Sequence, residues 1–200
     1  MSGRTALLLS GGMDSTAIAF WKRPSIAVTI DYGQLPARGE IDASAAVCAD
    51  LDIRHEVLRV DCSSIGAGDL AGRAPLQLSP VPEWWPFRNQ LLVTLAAARL
   101  ISEGIDTLML GTVRSDGVHA DGTIEFVSRM NALLMMQEGA IQLLAPAIEL
   151  TSAELVRTSG IPFEILAWSH SCHRSNLACG YCRGCHKHFD TMKELGIGPY

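Results

Sequence analysis

The chain has 200 residues, 48% of them hydrophobic and 18% charged, and 16 Lys+Arg against 21 Asp+Glu give a formal net charge of −5. This length and composition describe one globular domain, or one domain with a small appendage, and exclude a disordered or linker-type chain. The acidic balance argues against general nucleic-acid binding, and no apolar run approaches the ~20 residues that a bilayer-spanning helix needs.

Met1, Ser2, Gly3 and Arg4 lead into a short apolar run, residues 5–10, which meets Gly11 and Gly12. The run is too short for a signal peptide and reads as a buried strand, so the expected location is cytoplasmic. Residues 14–22 carry Ala17, Ile18 and Trp21 on one helical face, and Pro24 stops them. Residues 25–30 form a second strand, ending at Asp31, Tyr32 and Gly33. A helix over 40–51 places Ile41, Ala45, Cys48 and Leu51 on one stripe, and residues 55–60 form a third strand. The segment 66–86 breaks the pattern with three glycines, four prolines and the pair Trp84 and Trp85. It reads as a long loop whose tryptophans either close over a site or pin the loop. A strong helix follows over 89–103, with Leu92, Leu95, Ala96 and Leu100 at core spacing. Residues 107–111 give a fourth strand, 122–137 a helix, 141–145 a fifth strand and 151–158 a short helix. Strands alternating with helices predict an α/β fold, a Rossmann-like parallel sheet covered on both faces. The chain divides into a nucleotide-type domain over 1–168 and a cysteine-rich segment over 169–200.

Ser10, Gly11, Gly12, Met13, Asp14, Ser15 and Thr16 join the first strand to the first helix. Two glycines, a helix start and the Ser10 and Ser15 hydroxyls make a cradle for phosphate or pyrophosphate. Asp14 would cap the helix or hold a magnesium ion beside the phosphates. The loop has neither the Gly-Lys-Ser/Thr ending of a Walker motif nor the spacing of a dinucleotide fingerprint. An ordinary strand-to-helix turn is the plain alternative.

Cys172, Cys179, Cys182 and Cys185 crowd the C-terminal end, whereas Cys48 and Cys62 stand alone at core-like positions. Four thiolates at these spacings, with Gly180 and Gly184 for tight turns, read as a closed, structural zinc site. An iron–sulfur cluster is the alternative on spacing, and disulfides are a third. His170, His173, His186 and His188 surround the cluster, as substitute ligands or as polar surface.

The sequence Ser10-Gly11-Gly12-Met13-Asp14-Ser15 matches the signature of the PP-loop ATP pyrophosphatases, and the whole chain resembles the 7-cyano-7-deazaguanine (preQ0) synthase family within them, as a divergent member. The resemblance is carried by Asp31-Tyr32-Gly33-Gln34 with Glu40-Ile41, by Arg88-Asn89 at a helix start, by the stretch from Gly111 to Phe126, and by the cysteine quartet. It implies a ligase that uses ATP to adenylate the carboxylate of 7-carboxy-7-deazaguanine, releasing pyrophosphate. Ammonia then gives an amide, and a second activation gives the nitrile. It further implies that Ser10, Gly11, Gly12, Asp14, Ser15, Thr16, Asp31 and Gly111 hold ATP with Mg2+. Ser10, Asp14, Ser15 and Arg88 would serve catalysis. Arg88, Asn89, Asp116, Asp121, Glu125 and Phe126 would hold the base, with Asp121 the first candidate for its N–H donors and Phe126 either stacking on the base or filling the core. Zn2+ would sit on the four cysteines, and a homodimer would be the assembly.

Several positions depart from the family pattern. Leu35, Pro36 and Ala37 stand where a basic pair with a histidine is usual, Phe87 replaces a glycine, and Ser152 replaces a lysine. Of the usual base-binding block, Gly117-Val118-His119-Ala120-Asp121-Gly122 keeps only the aspartate. An alternative is therefore an amide ligase that passes the activated base to another amine, such as a protein acceptor in an antiphage or modification cluster. A non-catalytic nucleotide-binding module and a tRNA-modifying PP-loop enzyme are further alternatives.

Overall fold

A computed structural model describes residues 4–198. Residues 1–3, where the N-terminal reading began, lie outside it. In chain order the principal elements are β1 (Thr5–Leu8), α1 (Met13–Lys22), β2 (Ile26–Asp31), α2 (Ala37–Leu51), β3 (Arg54–Arg59), α3 (Gly68–Ala71), α4 (Arg88–Leu100), β4 (Thr107–Met109), α5 (Ile124–Met135), β5 (Gln142–Leu144), α6 (Ser152–Ser159), α7 (Phe163–Leu166) and α8 (Arg183–Glu194).

The five strands among the described residues are parallel, in the order β3-β2-β1-β4-β5. Successive residues of β1 point to opposite faces, so its run of apolar side chains feeds two cores at once. On one face Ala6 and Leu8 join Ile26 and Val28, packed with Val93, Ala96 and Leu100 of α4 and Met130 and Leu134 of α5. On the other, Leu7 and Leu9 pack with Ala17 and Ile18 of α1, Val47 and Cys48 of α2, and Leu155 of α6. Met192 of α8 is buried in that same second core. Cys48 and Cys62 are both buried core residues, as their positions implied.

The segment 66–86 is pinned rather than open. Trp85 is 1% exposed and meets the Tyr32 ring edge-on at 4.8 Å between centroids. The Asp69 N–H donates to Pro82 O at 2.9 Å, closing α3 onto the second half of the segment. Thr151 and Glu154 form a reciprocal capping box that starts α6.

Three helices escape the sequence reading: the one-turn α3 inside the segment read as a loop, α7 and α8. The one-turn α7 follows Pro162, which fixes the entry angle but leaves too short a pattern to detect. In α8 the N-cap is Cys182, whose sulfur accepts the Cys185 N–H at 3.4 Å, and Gly184 lies in the first turn. A thiolate cap and an early glycine both conceal a helix start, because Ser, Thr, Asp and Asn are the usual caps. Among the described residues no helix is long and apolar enough to cross a membrane.

Candidate active site

The strand order reverses between β1 and β4, and the loops leaving these two strands open a crevice at their C-terminal ends. The glycine-rich loop occupies one side of it. Gly11 has φ +72°, and a Cβ there would lie 2.7 Å from the Glu40 carbonyl oxygen, so both backbone geometry and space demand glycine. The Ser10 and Ser15 hydroxyls are 3.2 Å apart, and Ser15 Oγ donates to the Gly12 carbonyl at 3.0 Å. No side chain caps the N-terminus of α1, so its first-turn N–H groups remain directed at the crevice. Gly111 lets the end of β4 pass close to Ser15, where a Cβ would come 3.1 Å from the serine Cβ.

The crevice widens into a cavity of about 580 Å³. Ser10, Gly12, Asp14, Ser15 and Gly111 line its phosphate-like side, while Arg88, Asn89 and Asp116 line the side under α4 and the loop after β4. Arg88 opens α4 beside Tyr32; burial opposes its charge, but the neighbouring carboxyl groups of Asp121, Asp116 and Glu40 help to hold its guanidinium protonated. Asp116 accepts the Val113 N–H on Oδ2 at 3.0 Å and turns Oδ1 to the Lys187 ammonium at 3.1 Å.

Other residues named from the sequence take different places. Gly11 and the fully buried Thr16 lie behind the cavity wall rather than in it. Asp31 ends β2 and accepts the Gly33 N–H at 3.2 Å. Asp121 accepts the Asn89 N–H on Oδ2 at 3.0 Å, and its carbonyl oxygen accepts from Asn89 Nδ2 at 2.8 Å. Its carboxylate thus holds the first turn of α4 and sits beside Arg88 instead of lining the cavity. Glu125 is on the exposed face of α5, paired with Arg129 four residues on at 2.6 Å. Phe126 is half-buried and packs against the first core. The resemblance put Glu125 and Phe126 with the base-binding block, but the rotation of α5 turns them away from the cavity.

The cavity also contains groups that the motifs did not single out. Glu40 Oε2 accepts a hydrogen bond from Gln34 Nε2 at 2.7 Å. Burial pushes its carboxyl up to about 7, against the opposing pull of Gln34 and Arg88. His173 lines the cavity with a buried Nδ1 that has no hydrogen-bond partner, and burial with the nearby Arg88, Lys187 and Arg183 holds it neutral, at about 4. Glu83, 5% exposed, receives Arg183 at 3.0 Å and ties the pinned loop to α8. Ser152 lines the cavity too, and Lys187 enters it from α8.

The C-terminal segment is laced onto this site. The His170 N–H donates to the Gly11 carbonyl at 2.7 Å, touching the glycine-rich loop directly. The Sγ atoms of Cys172, Cys179, Cys182 and Cys185 all lie within 4.8 Å of one another, and two pairs are 3.9 Å apart. Sulfurs bound to one tetrahedral zinc at ~2.3 Å sit about 3.8 Å from each other, so the donor set and its size both fit zinc. A four-iron cluster places each thiolate on a different iron and would spread the sulfurs wider. None of the six cysteines is in a disulfide. Cys182 Sγ accepts N–H groups from His173 and Cys185, both at 3.4 Å, which supports thiolate charge. Gly184 is required by crowding, since a Cβ there would lie 2.0 Å from the Ser171 carbonyl oxygen.

A parallel sheet with a glycine-rich anion cradle at its switch point defines a nucleotide-using α/β protein of PP-loop type. Solved structures with this fold include a U34-tRNA thiolase from Methanococcus maripaludis carrying a [4Fe-4S] cluster. It has a TM-score of 0.57 and 15% identity, with 96% of this chain and 66% of that one covered. The NMN synthetase of Francisella tularensis aligns with a TM-score of 0.51 and 13% identity, over 100% of this chain and 80% of that one. At the level of sequence, residues 4–196 match the family described as queuosine biosynthesis protein QueC. The 7-cyano-7-deazaguanine synthase of Desulforudis audaxviator is 33% identical, covering 95% of this chain and 96% of that protein. That of Campylobacter curvus is 32% identical over 97% and 95%, and that of Methanosarcina barkeri 27% over 95% and 94%. The chain belongs to the QueC family.

Proposed function

We propose that this chain is a 7-cyano-7-deazaguanine synthase, an ATP-dependent ligase that converts 7-carboxy-7-deazaguanine and ammonia to the nitrile preQ0. The observation that carries this reading is the joining of an intact Ser-Gly-Gly-Met-Asp-Ser cradle, a half-buried Arg88 and a C-terminal cysteine quartet around one cavity, in a full-length family match. A carboxylate oxygen of the substrate attacks the α-phosphorus of ATP and pyrophosphate leaves. Ammonia then attacks the acyl carbon, AMP leaves with the C–O bonding pair, and one N–H proton is lost. The amide oxygen repeats the attack on a second ATP, and departure of AMP with loss of two N–H protons forms the C≡N bond.

The residues divide this work. Ser10, Gly12, Ser15 and the start of α1 hold the leaving pyrophosphate, through backbone N–H groups and hydroxyls, while Gly11 shapes the turn behind them. Asp14 Oδ1 is buried without a hydrogen-bond partner, which fits a magnesium ligand, and Mg2+ bound there would neutralise charge on the phosphates. Arg88 stabilises the carboxylate–phosphate junction and Asp116 takes donors of the base. Glu40, with a carboxyl poised near neutrality, is the base that receives the amine proton. This assignment places proton transfer at Glu40, since the histidine usual after the Asp-Tyr-Gly-Gln block is absent here.

The test is incubation with ATP, 7-carboxy-7-deazaguanine and ammonia, with products read by mass spectrometry. The expected outcome is the nitrile, with two AMP and two pyrophosphate released per product. An amide as the end product, or transfer to a protein amine, would replace the nitrile reading with the amide-ligase one. No AMP at all would overturn both.

A further inference from the structure

Lys187 stands two residues after the last cysteine, on the stripe of α8 that carries Gly184, Thr191 and Glu194 into the cavity. Its Nζ lies 2.9 Å from Asp14 Oδ2 and 3.1 Å from Asp116 Oδ1. Asp14 belongs to the glycine-rich loop and Asp116 to the loop after β4. One ammonium therefore joins three segments that are far apart in sequence. Without a cation between them, two carboxylates converging on one centre repel each other. A divalent metal is the other species that satisfies such a pair, and Asp14 keeps a second buried oxygen, Oδ1, with no partner. Lysine is a point charge on a flexible four-carbon stem, so it can leave the carboxylates without any movement of α8.

We propose that Lys187 is the resident counter-cation of the nucleotide site: it holds the Asp14–Asp116 pair when nucleotide is absent and passes to triphosphate oxygens when a metal–nucleotide complex enters. The inference rests on the reading of the glycine-rich loop as the ATP site. Its consequence is an order of loading. Free metal must compete with a bound ammonium, whereas metal–ATP brings phosphate oxygens that accept the displaced ammonium. The site therefore takes its metal with the nucleotide and not before it. The zinc cluster, through the Cys182 cap of α8, fixes the helix from which this cation reaches in.

The test uses the zinc-loaded full chain, with Mn2+ as a paramagnetic probe for Mg2+ and a non-hydrolysable ATP analogue. Without nucleotide, Lys187→Met is expected to bind Mn2+ about tenfold or more tightly than the native protein, and Lys187→Arg to stay weak. With Mg2+ present, Lys187→Met is expected to lose about tenfold in affinity for the analogue. Equal Mn2+ affinity in the native and Lys187→Met proteins would overturn the proposal. So would a tight Mn2+ site in the native protein without nucleotide, a measurement that needs no variant. Zinc content and circular dichroism check folding, and Lys187→Gln carries the test where Lys187→Met does not fold. If the native protein binds no analogue even with Mg2+, the ATP-site reading fails, whatever the Mn2+ result.

Discussion

Glu40 and Arg88 interact in the same cavity, and the balance between them governs the pH response of the site. Glu40 titrates near 7 in the folded chain, against an ordinary value of 4.5. The folded protein therefore binds more protons than the unfolded chain between these values, and the Glu40 contribution lowers stability as pH rises from about 4.5 to about 7. Glu40→Gln is expected to stabilise the protein by about 1–3 kcal/mol at pH 8 and to leave stability at pH 4 unchanged, measured by denaturant unfolding at the two values. The same substitution should remove the rise in kcat between pH 6 and 8 that a base of this pKa imposes. Asp14→Ala, which deletes the orphaned oxygen in the cradle, is expected to reduce adenylation by at least about 100-fold with the fold intact, read as pyrophosphate release. Glu40 was visible in the sequence only as part of a resemblance block. Its chemistry comes from desolvation beside Gln34, Tyr32 and Arg88, which no local pattern encodes.

At the scale of elements, the pinned loop and the glycine-rich turn carry the largest mechanical load. Trp85 anchors the segment 66–86 by filling a pocket against Tyr32 and the first core. Trp85→Ala is expected to cost about 3–5 kcal/mol and to raise KM for both substrates, because Glu83 and Arg88 flank the anchor and line the cavity. Thermal unfolding and steady-state kinetics on the same preparation check this. Strand and helix alternation was legible because the central strands are short apolar runs and the long helices carry a core stripe, whereas β3, with Arg54, His55, Glu56 and Arg59, shows only weak alternation. The turn was legible because Gly11 and Gly12 sit where a strand becomes a helix. Whether Trp84 and Trp85 cover the site or hold the loop was open, and burial decides it: Trp85 is an internal anchor.

For the whole molecule, the C-terminal segment and the sheet domain work as one piece. Met192 enters the second core, the His170 N–H meets Gly11, Arg183 meets Glu83, and Lys187 meets Asp14 and Asp116. Removing zinc, by chelation or by Cys179→Ser, is expected to weaken nucleotide binding together with stability. The measurement is the rise in Tm produced by the ATP analogue with and without zinc. A rise that survives zinc removal unchanged would show the cluster to be separate from the site.

The order of strands and helices, the phosphate-type loop and the four-thiolate set are all local features, written in contiguous residues whose spacing reports their geometry directly. They were readable from the 200 residues alone, as was the family resemblance that follows from them. The cavity was not. Which of Asp116, Asp121 and Glu125 faces it depends on the rotation of α5 and on the capping of α4, and the entry of Lys187 depends on a helix whose start is concealed by a cysteine cap. These are long-range packing outcomes: they follow from how the two cores and the cysteine cluster set helices against each other, and no window of sequence contains both sides of those contacts.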